Sequence, residues 1–511
     1  MTNSPLSPPS PLPSIPKLVI VQAIVSAASL VVEIVAGRML APFVGMSLYT
    51  WTSIIAVVLA GFSAGHWAGG RMAEMDSPRA LRWTGWAMLG AALTTAGALF
   101  ALRWGAAAIL PMTENAIVAI VALSTAAFFL PSFFAGIPAP VLAQISVNAT
   151  PDRSGRALGA MFAAGAIGAI AGTLLAGFVF VSWLGSTGTL VAVTAVYLAS
   201  AAALLTWAGR AGAPRGFMLA FGTGLAAVAL AGTALAQPSP CTRESDYFCI
   251  RTVDMSADPT RPVNMMVLDH LVHGMAARDV PEVMFYESAA LLDRLTLMRM
   301  GDDTFSAFLI GGGTFSVPRK WALLDPAPDV TVAEIDPAVT EVAMLDFWFD
   351  PTTARVLTQD ARHALRNSDR RFDVVLGDAF TDIAVPEHLV TKEFFQLVRD
   401  RLTPDGVYLM NVIDHADNLR ALASVTATLE QVFPVVEIWT EARSPQPGQR
   451  LVFTLVAGNA PSPVEMVDGR NPDPTRFGQL TARFREGLQA RAPVILTDDY
   501  APVDRLIGTR F

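Results

Sequence analysis

Two hydrophobic patterns divide this chain. In the first half, apolar residues run on without alternation at 18–41, 50–70, 81–102, 115–147, 157–182, 187–208 and 216–236. About 20 such residues in a helix match the hydrocarbon thickness of a bilayer, so the pattern predicts a multi-pass bundle of seven helices. The fourth run is broken by Pro131, Pro138 and Pro140 around Gly136. It reads either as one kinked helix or as a helix with a re-entrant piece, which leaves the count open by one. Residues 1–16, rich in Pro and Ser and without a basic residue, read as a disordered tail rather than a signal peptide.

From residue 241 the pattern shortens to alternating runs of strand length. Residues 247–253 and 264–269 read as a hairpin and 285–300 as a helix, giving a small β-rich subdomain at 241–304. Strand-like runs at 305–310, 330–333, 355–358, 372–377 and 406–413 then alternate with helical segments. This alternation predicts a parallel sheet covered by helices, with ligands at the carboxyl ends of the strands. The expected fold is thus an N-terminal all-α multi-pass membrane bundle at 17–236 and a C-terminal α/β Rossmann-like domain at 305–511.

Composition supports the split, because 52% hydrophobic and 16% charged residues with a mean hydropathy of +0.45 do not describe one soluble domain of 511 residues. Residues 1–236 hold ten Lys+Arg and five Asp+Glu, leaving 26 and 39 for the remainder, so net +5 faces net −13. An acidic soluble half argues against nucleic acid as a partner and for a small cationic substrate. In the apolar half, Gly61, Gly65 and Gly69, Gly155 and Gly159, and Gly168 and Gly172 recur every fourth residue, a spacing that lets helix backbones pack closely in lipid. Lining of a solute path is the alternative for these stripes. Glu33, Arg38 and His66 are ionisable groups within or beside the apolar runs and are expected to face the bundle interior, with Glu33 and Arg38 as a structural pair.

The candidate chemistry lies at the strand ends. Residues 305–310 run into Gly311-Gly312-Gly313, 330–333 end on Glu334, Asp360 follows 355–358, and 372–377 end on Asp378. Consecutive glycines let a ligand lie against bare backbone, and an acid at the tip of the next strand suits the two hydroxyls of a ribose. Residues 311–316 half-match a dinucleotide fingerprint. Asp360 and Asp378 argue against that reading, since carboxylates near an adenine amino group and at the reactive strand tip suit a sulfonium nucleoside and leave no place for a pyrophosphate. Asp378 also reads as a helix cap, and no metal is expected.

Taken in order, these residues resemble the spermidine synthases (polyamine aminopropyltransferases), in the version fused behind a multi-pass membrane region. The resemblance runs through Glu244-Ser245-Asp246-Tyr247, Leu268-Asp269-His270, Val272-His273-Gly274, Phe285-Tyr286-Glu287-Ser288, Leu309-Ile310-Gly311-Gly312-Gly313 and Glu334-Ile335-Asp336-Pro337. It continues through Asp360-Ala361-Arg362, residues 373–380, Thr391-Lys392-Glu393-Phe394-Phe395 and Leu496-Thr497-Asp498-Asp499-Tyr500. In the apolar half it touches Glu33 to Arg38 and Ala41-Pro42 with Gly45. It implies a methyltransferase-type sheet that binds S-adenosylmethionine or its decarboxylated form as cosubstrate, without a prosthetic group. Gly311, Gly312 and Gly313 would lie against the nucleoside, Glu334 on the ribose, and Asp360 with Ala361 at the adenine. Asp378 would orient the attacking amine and accept its proton, and methylthioadenosine would leave.

The sequence departs from that family in two places. Thr314 stands where the soluble enzymes carry an Asp that holds the amine of the nucleoside's side chain, and Thr381 stands where they carry a second acid, with Asp382 one residue further on. Tyr247, His273, Asp382 and Tyr500 are the candidates for rebuilding an acceptor pocket. Three functions follow as expectations: aminopropyl transfer to an amine such as putrescine, cleavage of S-adenosylmethionine to methylthioadenosine and a homoserine lactone without an acceptor, and a non-catalytic nucleoside-gated transporter or sensor. The expected partners are the sulfonium nucleoside, a polyamine and the bilayer, with a second copy of the chain as a candidate homodimer.

Sidedness is contested within the sequence. Arg71, Arg79 and Arg82, then Arg153 and Arg156, then Arg210 and Arg215 fall in the second, fourth and sixth connections, which the positive-inside rule places in the cytoplasm. Seven crossings would then put the soluble half outside, where Cys241 and Cys249, the only two cysteines, could pair. A cosubstrate made in the cytosol argues the other way, and an eighth crossing would return the domain inside. The expectation is a cell (inner) membrane protein with its catalytic domain at the cytoplasmic face, the periplasmic side and the cysteine pairing left open.

Overall fold

In the computed structural model the chain divides into two compact units, one running to Pro240 and the other starting at Cys241. Residues 12–507 are described, apart from Glu114, 212–216, 381–384 and Pro447. Most of the expected N-terminal tail lies outside the described residues, and the first helix starts at Ile15.

Among the described residues of the first unit, six helices are long and apolar enough to cross a membrane by length and composition: Ile15–Val44, Leu48–Ala73, Ser77–Met112, Ala116–Ala149, Pro151–Arg210 and Met218–Ala236. The fifth is 60 residues long and is broken at Gly185, whose φ of 66° and ψ of 177° are non-helical and suit a residue without Cβ. Its two arms carry the fifth and sixth apolar runs of the sequence, so the expected seven runs appear as six helices, one of them bent in the middle. The run with three prolines forms one helical stretch, widened by a π-turn at Thr125–Phe129. Pro131, Pro138 and Pro140 each remove a ladder donor from this stretch, and the π-turn and the junction at Ile137 lie beside them.

The glycine stripes divide between packing and idleness. A Cβ on Gly61, Gly65 or Gly69 would stand 2.8, 2.1 or 2.4 Å from the carbonyl oxygen of Phe129, Phe133 or Ile137, and one on Gly168 or Gly172 would stand 2.1 or 2.2 Å from that of Ala23 or Ala27. These two stripes set the closest helix approaches of the bundle. Gly155 and Gly159 have nothing within 4 Å of such a Cβ, so the packing expectation fails for that pair.

The second unit begins with the antiparallel sheet β1 (Arg243–Glu244), β2 (Cys249–Asp254), β3 (Val263–Leu268) and β4 (Leu271–Ala277). The expected hairpin is its β2–β3 pair, and β1 and β4 extend it. A disulfide joins Cys241 to Cys249. The main sheet has nine strands in the order β12-β13-β10-β11-β9-β8-β5-β6-β7. Its parallel part is β5 (Ser306–Ile310), β6 (Asp329–Glu334), β7 (Arg355–Thr358), β8 (Phe372–Gly377) and β9 (Leu402–His415), the five strands expected from the sequence. The rest is an antiparallel extension that the alternating pattern did not announce: β10 (Val435–Glu441), β11 (Arg450–Gly458), β12 (Met466–Asp468) and β13 (Arg476–Gln479).

Both faces of this sheet are buried, as a sheet with helices on each side requires. On β5, Phe308 and Ile310 join one core while Ala307 and Leu309 join the other, and β9 divides Tyr408, Met410 and Val412 from Val407 and Leu409 in the same way. The chain leaves β5 toward β6 on one side and returns to β8 on the other, so the strand order reverses between β5 and β8. The carboxyl ends there form the crevice in which such folds bind ligands.

Candidate active site

At the end of β5 the backbone must clear two neighbours at once. The Gly311 amide donates to the Ala333 carbonyl at 2.9 Å, and the Asp378 amide donates to that of Ile310 at 3.1 Å. Gly311 and Gly313 take φ of +91° and +51°, and a Cβ on Gly312 would stand 2.3 Å from the Phe315 ring. Only glycine fits this turn without strain, and it leaves bare backbone toward the crevice.

Three carboxylates surround the turn. Glu334, at the tip of β6, is buried; its Oε2 accepts from the Gly312 amide at 2.8 Å and its Oε1 from the Asp336 amide at 2.9 Å. Burial pushes its carboxyl up against the pull of those amides. Each oxygen keeps acceptor capacity for a hydroxyl. Asp360 caps the helix Ala361–Arg366, its Oδ1 accepting from the His363 amide at 2.8 Å while Oδ2 lies 2.7 Å from His388 Nε2. Burial raises its pKa, but these contacts outweigh it and hold the carboxyl below the usual range. Asp378, at the tip of β8, is exposed to the crevice, yet protein surrounds it closely enough to push its carboxyl up, an effect that the bond from Asn411 partly offsets.

Asn411 Nδ2 donates to Asp378 Oδ1 at 2.8 Å, and the Thr454 hydroxyl donates to Asn411 Oδ1 at 2.7 Å. Thr454 stands opposite Asn411 in the β11–β9 register, so the antiparallel extension fixes which way the amide faces. Asn411 was not among the sequence candidates. The one signal for it was a polar residue inside the apolar run of β9.

These groups line one cavity of about 560 Å³, within the range of small-molecule sites. The three glycines, Glu334, Asp360 and Ala361 lie on its wall, as do Asp378, Tyr247 and His273. His273 Nδ1 lies 2.9 Å from the Leu271 carbonyl, and the Phe380 backbone is a second hydrogen-bonding group at the ring. Burial depresses its pKa, keeping the ring neutral. Tyr286 and Arg450, which the sequence did not single out as site residues, also line the cavity. Tyr500 does not: it sits exposed in the turn that closes on Thr497. From the same motif Asp498 takes a two-pronged contact from Arg362, at 2.7 and 2.6 Å, and a bond from Thr391, bracing the helix behind Asp360. Asp382 lies outside the described residues. Among the described residues no group of three or more His, Cys, Asp or Glu could hold a metal ion.

Comparison with known proteins agrees with this geometry. Residues 303–462 match the spermine/spermidine synthase domain. A probable polyamine aminopropyl transferase of Bifidobacterium longum is 29% identical over 240 residues, covering 44% of this chain and 52% of that protein. An N-terminal histidine N-methyltransferase of Emericella nidulans is 29% identical over 209 residues, covering 39% and 35%. Among solved structures, a probable spermidine synthase from Corynebacterium glutamicum is 18% identical with a TM-score of 0.42, covering 51% of this chain and 96% of that one. The chain spans about half the length, or less, of the curated relatives it matches. The likeness to the spermine/spermidine synthase domain is confined to residues 303–462.

Proposed function

We propose that the second unit is an aminopropyltransferase that takes decarboxylated S-adenosylmethionine as donor and an amine as acceptor, and that the first unit anchors it in a membrane. The single observation that carries the reading is Asp378, a carboxylate with a raised pKa held by Asn411 beside the glycine turn. The adenosine would lie on Gly311 to Gly313 with its ribose on Glu334 and its adenine near Asp360. The amine nitrogen attacks the methylene carbon next to the sulfonium; a C–N bond forms, the C–S bond breaks, and its electron pair returns to sulfur as neutral methylthioadenosine. A sulfonium needs no acid to help it leave, so positioning and one base suffice. With Oδ1 occupied by Asn411, Oδ2 of Asp378 is the oxygen free to take the proton.

A second reading, methyl transfer from intact S-adenosylmethionine, is favoured by Thr314. Its hydroxyl lies 2.7 Å from that of Ser316, so the side-chain tail of the nucleoside would meet neutral hydroxyls where the family's Asp would repel a carboxylate. One experiment decides. Detergent-purified full-length protein is incubated with each sulfonium nucleoside, with and without putrescine. Amine-dependent methylthioadenosine supports aminopropyl transfer, S-adenosylhomocysteine supports methyl transfer, and neither product refutes both. The relatives are transferases by name, which gives the cyclising alternative no support.

For sidedness, the Cys241–Cys249 disulfide favours the side opposite the cytoplasm, and the arginine-rich connections agree with it where both arms of Pro151–Arg210 cross the membrane. This runs against the cytoplasmic expectation drawn from the cosubstrate alone.

A further inference from the structure

The cavity continues past Asp378 to an end that the nucleoside would not fill. Side chains alternate along a strand, so Arg450, Val452 and Thr454 share one face of β11. Thr454 holds Asn411, Asn411 holds Asp378, and Val452 and Arg450 line the cavity further out. One strand face therefore leads from the proposed base to a guanidinium. Tyr286, which caps the helix Glu287–Met300, sits in reach of both ends. Burial raises its phenol most and the Glu287 carboxylate adds to that; Arg450 opposes the rise, and Asp378 contributes least. His270 lies under the same influence, pushed down to about 4 by burial first and then by Arg450, and so is neutral.

Among the described residues the cavity wall carries one cation, Arg450, at this outer end, and its carboxylates are Glu334, Asp360 and Asp378, at the nucleoside end and at the junction. Some arginines of this unit are paired, such as Arg443 with Glu441, Arg476 with Asp468 and Arg485 with Glu430. Arg450 makes no side-chain hydrogen bond or ion pair among the described residues. A diamine with one nitrogen at Asp378 would point its second ammonium toward this exposed guanidinium, where like charges repel to the extent that water does not screen them. An amine whose far end is a carboxylate would meet the planar, two-pronged donor that suits it.

We propose that Arg450 selects the acceptor, and that the acceptor is an amine bearing a carboxylate rather than a polyamine. The inference rests on the transferase reading above. The reacting nitrogen still loses its proton to Asp378 and displaces methylthioadenosine; only the far end of the acceptor differs.

The test compares putrescine with 4-aminobutanoate, which has the same chain length with one ammonium exchanged for a carboxylate. Each is given to full-length protein with decarboxylated or intact S-adenosylmethionine, and methylthioadenosine and the mass of the adduct are followed. With the decarboxylated donor, kcat/KM is expected to be at least tenfold higher for 4-aminobutanoate, and Arg450→Glu should reverse the preference while Arg450→Gln flattens it. A wild-type preference for putrescine that survives Arg450→Glu would overturn the proposal. So would an Arg450-dependent gain seen only on changing to the intact donor, which would assign the carboxylate to the donor's tail. Absence of methylthioadenosine from every pairing would refute the transferase reading itself, a different failure from a wrong acceptor.

Discussion

Replacing Asn411 with leucine tests the arrangement at the base. The residue is fully buried and bonded on both sides, to Asp378 and to Thr454. A leucine side chain would fill similar space but would strip Asp378 of its donor and leave the Thr454 hydroxyl facing a methyl group. The orphaned hydroxyl costs the fold about 1–3 kcal/mol. A hydrogen bond to a charged group contributes about 1.5–3 kcal/mol, but the crevice around Asp378 admits water, so roughly 1 kcal/mol is a better figure for the loss of positioning. That corresponds to a fivefold to tenfold fall in kcat/KM. The pH profile gives the sharper readout. Asp378 must be ionised to take a proton, burial already raises its carboxyl, and Asn411 is the contact that lowers it. Removing that contact should move the acid limb of kcat/KM to higher pH. The assay is methylthioadenosine release between pH 5 and 9 with folded yield checked by gel filtration. An acid limb left in place, with kcat/KM unchanged, would refute the assignment of Asn411 as the positioning residue of the base.

Asp378→Asn should abolish methylthioadenosine release while leaving nucleoside binding detectable by calorimetry; release that survives the substitution would refute the assignment of the base. Glu334→Gln should weaken nucleoside binding by about 10- to 150-fold, the loss of one charge-assisted bond worth about 1.5–3 kcal/mol, as read by calorimetry. In the first unit, Gly65→Val would drive a methyl-bearing carbon into the Phe133 carbonyl and should abolish folded yield, whereas Gly159→Val meets nothing and should be tolerated. Fusing alkaline phosphatase or a fluorescent protein to the C-terminus reads sidedness: phosphatase activity with a dark fluorophore is expected, and the reverse pattern would place the domain in the cytoplasm.

The sequence made the parallel core legible because its signals are local. Short apolar runs ending in glycine or an acid identify β5, β6 and β8, and strand ends are where Gly311 to Gly313, Glu334 and Asp378 had to be. The motif at 496–500 was legible as a motif but not as geometry. Spacing showed that the segment mattered, while only packing showed that Asp498 turns inward to Arg362 and Tyr500 outward to solvent. The antiparallel extension was missed for a related reason. Thr454 reaches Asn411 across 43 positions of sequence, through a register that no spacing rule reports. The consequence bears on function. A parallel sheet of five strands would place Asn411 beside Asp378 but without the Thr454 hydroxyl that fixes which way its amide faces, and without Arg450 at the far end of the cavity. The extension supplies both, through one face of β11. The proposed nucleoside end of the site therefore belongs to the strands that the sequence announces, while the facing of the Asn411 amide and, on the proposal above, the choice of acceptor depend on a strand added at the sheet's other side.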